Sequence, residues 1–356
     1  MFQSPTRVER WRTKVCRHIS ADRWENLLAH SASATPFSTQ SWLRSWSATF
    51  GCRPLYVIAS ELDGTLLAGI PVLEMPIHRG ILREYESLPW GCYGSVIMRN
   101  DSSPDCIGAV LTRYLNLVLS PLCLGGTVVD FAGNSSMLSN AATSVGDNFT
   151  HVLKLGRPLE EISRDYDYSI KKNLKKAERN SVFVRDANAA REVEAYCDLS
   201  DEVAKKYNRP PYSRDFFRNV YELMTPLGHA RFTLAFQHER PIAGTLHIIS
   251  GNHIFNWLTV SNPSFLDLRP VEAIIATMIS WAVSEGYETY NFGSSPGHAE
   301  GVIRFKEKWG AERILYKTYY LNKLSMTASL ISRLITTFNR LRHGFQPVQV
   351  NAIRGR

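Results

Sequence analysis

The sequence is poor in the short signatures that usually announce a reaction. Its six cysteines stand apart, at positions 16, 52, 92, 106, 123 and 197, and no two have CxxC spacing, which excludes the common zinc and dithiol motifs. Scattered thiols in a chain of 356 residues fit a reducing compartment. There is no HExxH, no GxSxG nucleophile elbow, no Walker A segment and no GxGxxG after a strand. The ten histidines show no ligand spacing, so no bound metal is expected. No apolar run approaches the roughly 18 residues of a membrane span, and MFQSPTRVERWRTKV has no apolar core of a secretory signal. The expectation is a cytoplasmic protein.

What is present describes a folded protein with a real core. Hydrophobic residues make up 44% and charged residues 21% of the chain, and eight Trp, fifteen Tyr and sixteen Phe exclude global disorder. The net charge of +8 favours anionic partners, whether nucleic acid, phosphorylated metabolites or anionic membrane.

The second half gives the clearer pattern. Residues 163–179 read as a basic helix with Ser163 as N-cap. Ile170, Leu174 and Ala177 share one face, and Lys171, Lys172, Lys175, Lys176 and Arg179 take the rest. Asp165 and Asp167 sit where they favour the helix dipole. The strand SVFVRDA and helices over 190–206 and 213–224 follow. The period then becomes extended: ARFTLAFQ, PIAGTLHIIS and HIFNWLTVS read as an antiparallel meander. His247 and His253 on these strands read as structural histidines. Arg269 and Pro270 open a helix that ends at Gly286, and ETYNFG and RILYKTYYLN are two further strands.

The first half repeats that order. Helices are predicted at 21–30 and 39–50, then a hairpin turning at Asp63-Gly64, the strand ILREYESLP, a helix near 104–119 and the strand GTVVDFAG. Ala68-Gly69 follows the first hairpin turn as Ala243-Gly244 follows the later one, so two copies of one unit are inferred. The expected fold is an α/β sandwich on a mixed sheet, not a Rossmann array. The expected domains are 15–155, 156–322 and an amphipathic helix with tail at 323–356. That helix, over 325–343, packs on the protein or lies on anionic membrane at the inner face.

The segment NFGSSPGHAEGVIRFKEKWGAE, 291–312, joins a small-residue turn to a cationic stretch and two aromatics. Such a site, with little nucleophile chemistry, suits direct reaction of two bound substrates, the protein supplying position and electrostatic stabilisation.

In this order of elements the chain resembles the GNAT-fold acyltransferases, in the branch of the Fem peptidoglycan aminoacyltransferases and their CelD-like acetyltransferase relatives. The resemblance covers roughly residues 20–320. It rests on TPFSTQSWLRSW (35–46), the Asp63-Gly64 hairpin, LPWGCYGSVI (88–97), SIKKNLKKAER (169–179), the helix ending at Gly286 and NFGSS…GVIRFKEKWGA. It implies tandem GNAT-like folds. It implies that Lys306, the lysine of the Phe-Lys signature, stabilises the oxyanion of acyl transfer. The alternative for Lys306 is a surface lysine. Gly293, Ser294, Ser295, Arg304 and Phe305 would wall the substrate pocket, with Phe305 and Trp309 reading first as packing residues. Arg269, Lys171, Lys172 and Lys175 would hold donor phosphates, the alternative being a solvated basic face. SNPSFLDLRP lacks the Q/R-x-x-G-x-G/A pattern of acetyl-CoA-dependent members.

The resemblance therefore implies no permanently bound cofactor, acyl-CoA as the leading co-substrate and aminoacyl-tRNA as the alternative donor. The acceptor would be an amine or hydroxyl of an envelope or saccharide precursor. An RNA-binding module and a membrane-associated module are the non-enzymatic alternatives. The first would hold uncharged RNA with a steep salt dependence.

Overall fold

A computed structural model describes residues 11–322. The tail helix expected at 325–343, with its membrane contact, lies outside the described residues. Among these residues no helix is long and apolar enough to cross a membrane.

The chain runs twice through one order of elements. The first pass is β1 (Trp11–Cys16), α1 (Ala21–Ala29), α2 (Gln40–Phe50), β2 (Arg53–Glu61), β3 (Leu66–Ile77), β4 (Leu82–Ser87), the short β5 (Ile97–Met98), α3 (Asp105–Val118), β6 (Cys123–Asp130) and β7 (Ser144–Lys154). Two helices connect the passes, α4 (Leu159–Arg164) and α5 (Tyr168–Arg179). The second pass is β8 (Val182–Asp186), α6 (Ala190–Lys206), α7 (Arg214–Met224), β9 (Ala230–Gln237), β10 (Arg240–Ser250), β11 (His253–Ser261), α8 (Pro270–Ser284), β12 (Thr289–Ser294), α9 (Glu300–Glu307) and β13 (Glu312–Asn322).

Strand pairing repeats as well. In the first pass β1 to β4 form an antiparallel run, and β6 joins β4 in parallel after the α3 crossover. In the second pass β8 to β11 form the same run, and β12 joins β11 in parallel after α8. The sixth strand of each set comes from the other pass. β7 pairs antiparallel with β12, and residues 317–322 of β13 pair antiparallel with β6.

The described residues divide into two compact units that interleave along the chain, one made of 11–34, 52–146 and 317–322, the other of 35–51 and 147–316. In the first unit, Val110, Leu111 and Tyr114 of α3 pack on Leu55, Val57, Ile70 and Val72. In the second, Ile274, Ile275, Met278 and Ile279 of α8 pack on Ala235, Ala243 and Ile254.

The duplicated glycines have one physical reason. A methyl built at Gly69 would lie 3.0 Å from the ring of Trp24 on α1. One at Gly244 would lie 2.7 Å from the ring of Tyr196 on α6. In each pass the first helix rests an aromatic ring on a strand where a side chain at the glycine would press on that ring.

TPFSTQSWLRSW folds into α2 in the second unit. Thr39 Oγ1 accepts the Trp42 N–H at 3.4 Å as the N-cap, and Gly51, at φ +67°, ends the helix. Its buried ring Trp42 meets Trp46, Phe216 and Trp257 at centroid distances of 6.2, 5.6 and 5.7 Å.

One element differs from expectation. The helix predicted from Ser163 is two helices. Ser163 lies inside α4, where its hydroxyl donates to Glu160 O, and the chain breaks before Asp167, the true cap, whose Oδ1 accepts the Ser169 N–H at 2.8 Å. An aspartate outranks the serine because it caps and opposes the dipole at once. Asp165 instead pairs with Arg157.

Candidate active site

The site grows from an irregularity at the end of β12. The pairing of β12 with β7 slips between Asn291 and Ser294, at Gly293, whose φ of +76° other residues rarely adopt. Asn291 Oδ1 holds the bend by accepting the Gly293 N–H at 2.8 Å and the Thr150 hydroxyl at 2.6 Å. At this slip the carbonyls of Gly293 and Ser294 face a side chain of α9.

Those carbonyls receive Lys306. On α9, Lys306 falls at the inward position three residues after Ile303, and it is only 7% exposed. Its Nζ donates to Gly293 O at 2.7 Å and to Ser294 O at 3.0 Å. An ammonium has three donors, so one remains. Burial pulls the Lys306 pKa down to about 8, which leaves it mostly charged at neutral pH.

His151 on β7 completes the cluster. It is fully buried, and neither ring nitrogen has a hydrogen-bond partner. Nε2 lies 3.8 Å from Glu307 Oε1, and the ring meets Phe149 edge to face. Burial first, and then the Lys306 charge, pulls its pKa below the usual imidazole range, so the ring is neutral. Ser295 Oγ nearby in sequence is also buried without a partner. A cation with a spare donor beside a neutral imidazole can stabilise an oxyanion and accept a proton.

Residues 164–307 match the family model described as an acetyltransferase (GNAT) domain. The chain carries a GNAT domain, and it is an acyltransferase. No curated protein matches it by sequence. Its fold is shared with FemX, at 11% identity and a TM-score of 0.69 over 85% of this chain and 96% of that one. It is shared with L-PGS from Bacillus licheniformis, at 15% identity and a TM-score of 0.56 over 89% and 97%. A tandem GNAT protein from the clavulanic acid biosynthesis pathway matches at 10% identity and a TM-score of 0.56 over 88% and 100%.

Within this GNAT domain the structure gathers some of the expected residues and separates others. Gly293, Ser294 and Lys306 meet. Phe305 packs toward the core beside buried Trp309, itself against Tyr166. Arg304 pairs with Glu300 and lines a cleft of about 400 Å³ with Asp165, Asp167, Glu307 and Lys308, three carboxylates against two cations. Lys171, Lys172 and Lys175 lie on the exposed face of α5, and Lys171 Nζ donates to Arg164 O. Arg269 stands at the start of α8, where Asp267 lies 3.9 Å from it and 3.6 Å from Lys176.

The first turn of α8 offers less to an anion than an ordinary helix start. Pro270 has no N–H to offer, and buried Glu272 accepts from Asn173 Nδ2 at 2.9 Å. His247 is a buried structural group, as its strand position implied: Nε2 lies 3.0 Å from Tyr290 OH, and burial pulls its pKa to about 3. Among the described residues no cluster of His, Cys, Asp and Glu could hold a metal ion.

Sequence reasoning missed His151, Thr150 and Glu272. His151 and Thr150 sit on β7, a strand it did not predict, although FTHVLKL carries alternating apolar residues that could have marked it.

Proposed function

We propose that the chain transfers an acyl group from acyl-CoA to an amine, or a hydroxyl, on a cell-envelope or polysaccharide precursor in the cytoplasm. The observation that carries this reading is buried Lys306, held by two carbonyls with its third donor unspent, beside neutral His151. The acceptor attacks the donor carbonyl directly. The carbonyl oxygen gains charge opposite Lys306, the bond to the leaving group then breaks, and His151 accepts the proton lost by the acceptor. Gly293, Ser294 and Ser295 would form the wall beside the reacting carbon, and Arg269 with Lys171, Lys172 and Lys175 would face the donor's phosphates.

A second reading has its own support. Pro270 removes one of the backbone N–H groups that would receive a pyrophosphate and Glu272 puts a carboxylate in the same turn, which favours aminoacyl-tRNA as donor. Native mass spectrometry of the full chain with a mixed acyl-CoA panel separates the two. A retained acyl-CoA supports the first reading and names the acyl group. A folded protein that retains no CoA species overturns it, and charged tRNA becomes the ligand to titrate.

A further inference from the structure

A second concave site lies wholly in the first unit. Four strand segments there continue their core-facing register one step further with a charged residue. Val15 is followed by Arg17 and Val72 by Glu74, while Leu55 is preceded by Arg53 and Tyr85 by Arg83. Arg53 and Tyr85 each pair directly with Glu74 across the sheet, and Leu55 pairs with Val72. The face that α3 covers with apolar side chains therefore turns ionic beyond the end of that helix. Val15, Leu55, Leu117 and Pro121 there form the apolar part of a pocket of about 480 Å³ that Arg17, Glu74 and Arg83 also line.

None of the three arginines makes a close ion pair with Glu74. They stand 3.6, 3.7 and 3.8 Å from the Glu74 carboxylate, outside hydrogen-bond range. Glu74, with a side chain only 9% exposed, receives one long hydrogen bond, from Tyr85 OH at 3.4 Å. Arg17 and Arg83 both approach Glu74 Oε2 in the pocket, while Arg53, outside its lining, approaches Oε1, so two forked guanidiniums converge on one place and the cluster as a whole keeps an excess of positive charge. A stability role alone would favour close bidentate pairs, as Arg185 makes with Glu192 at 2.9 and 2.5 Å.

We infer that this pocket binds a phosphate monoester, its phosphoryl group held by Arg17 and Arg83 and its organic part resting on Val15, Leu55, Leu117 and Pro121. The forked donors of Arg17 and Arg83 match phosphoryl oxygens, and the excess of positive charge favours an anion. The site is independent of the acyl-transfer reading, since none of its residues belongs to the second unit.

The test is isothermal titration of the full chain at constant ionic strength, with inorganic phosphate, with phenyl phosphate, and with phosphatidylcholine vesicles with or without phosphatidic acid. Saturable phosphate binding is expected, tighter for phenyl phosphate, and weakened at least about tenfold in Arg17→Gln and in Arg83→Gln, the scale of one hydrogen bond to a charged group. Lys306→Met should leave it unchanged. Preference for phenyl phosphate assigns a soluble ester, and capture only by phosphatidic acid vesicles, lost in Arg83→Gln, assigns a lipid headgroup. Two results overturn the inference: no saturable binding of any phosphate, or binding that survives both substitutions. A fall in ligand-free melting temperature with phosphate affinity intact would make the cluster a structural tie.

Discussion

The two passes of the chain end their parallel strand alike and then diverge. VDFAGNSS (129–136) and YNFGSS (290–295) each place a glycine near φ +75° within two residues after a phenylalanine, Gly133 and Gly293. In the first unit Asp130, 2% exposed, accepts the N–H groups of Asn134 and Ser135 at 3.0 and 2.8 Å, and the chain closes into a tight turn at Ser136–Asn140. In the second unit the matching residue is Asn291, which turns two carbonyls toward Lys306. A carboxylate at a strand end draws backbone donors inward and seals it. An amide there leaves backbone acceptors that an imported cation can use.

Substitutions can break this contrast. Lys306→Met should lower turnover roughly 10²-fold, the scale of one lost oxyanion donor, with the melting temperature of the protein held. Asp130→Asn should leave turnover alone. Full activity in a folded Lys306→Met protein would reduce both strand ends to structural turns.

The pH profile sharpens the same point. Turnover should fall about tenfold per pH unit above about pH 8 as Lys306 deprotonates, and Lys306→Arg should remove that limb in steady-state assays. Stability should move oppositely. The folded Lys306 pKa lies below that of an ordinary lysine, so the unfolded chain binds more protons between about 8 and the usual lysine range. Urea melts should therefore show stability rising through that window.

Smaller effects compare the units elsewhere. Asp130→Asn should cost about 1–3 kcal/mol in urea unfolding, because one backbone N–H loses its acceptor. Gly244→Ala should cost a similar amount, about 1–3 kcal/mol, and more than Gly69→Ala in the same thermal melts, since its methyl meets Leu234 and Tyr196 at 2.7 Å against 3.0 Å to Trp24. Smallest should be the double charge reversal Lys171→Glu, Lys175→Glu. It should weaken donor or acceptor binding a few-fold without moving the melting temperature, because both side chains are exposed. Lower stability with affinity retained would make α5 purely structural.

Most of the architecture was legible because its signals are local. The Asp63-Gly64 turn, the meander over 230–261 and Arg269-Pro270 at the head of α8 are short-range patterns, and the structure forms each where the pattern lies. The duplication was legible from Ala-Gly following each hairpin turn, and its cause is the ring that each glycine admits. β1 and β7 were not legible, since their partners are distant in sequence and their edges carry polar residues. The site was legible only in part. Lys306 stands in a recognisable segment, but its two acceptors depend on a register slip that no sequence pattern announces. His151 came from an unpredicted strand, so nothing placed it beside the lysine.

The exchange of β7 and β13 sets the schedule on which this chain can become complete. Synthesis delivers β6 early and β13 near the end, so during most of translation a nascent first half presents one unpaired sheet edge. Its own last strand, β7, is meanwhile reserved for a partner not yet made. Such an edge is a template for pairing with another chain. The half nearest the ribosome's start signal is thus the later one to close, and a gene cut after residue 155 would yield two fragments that each lack a strand and each carry a spare.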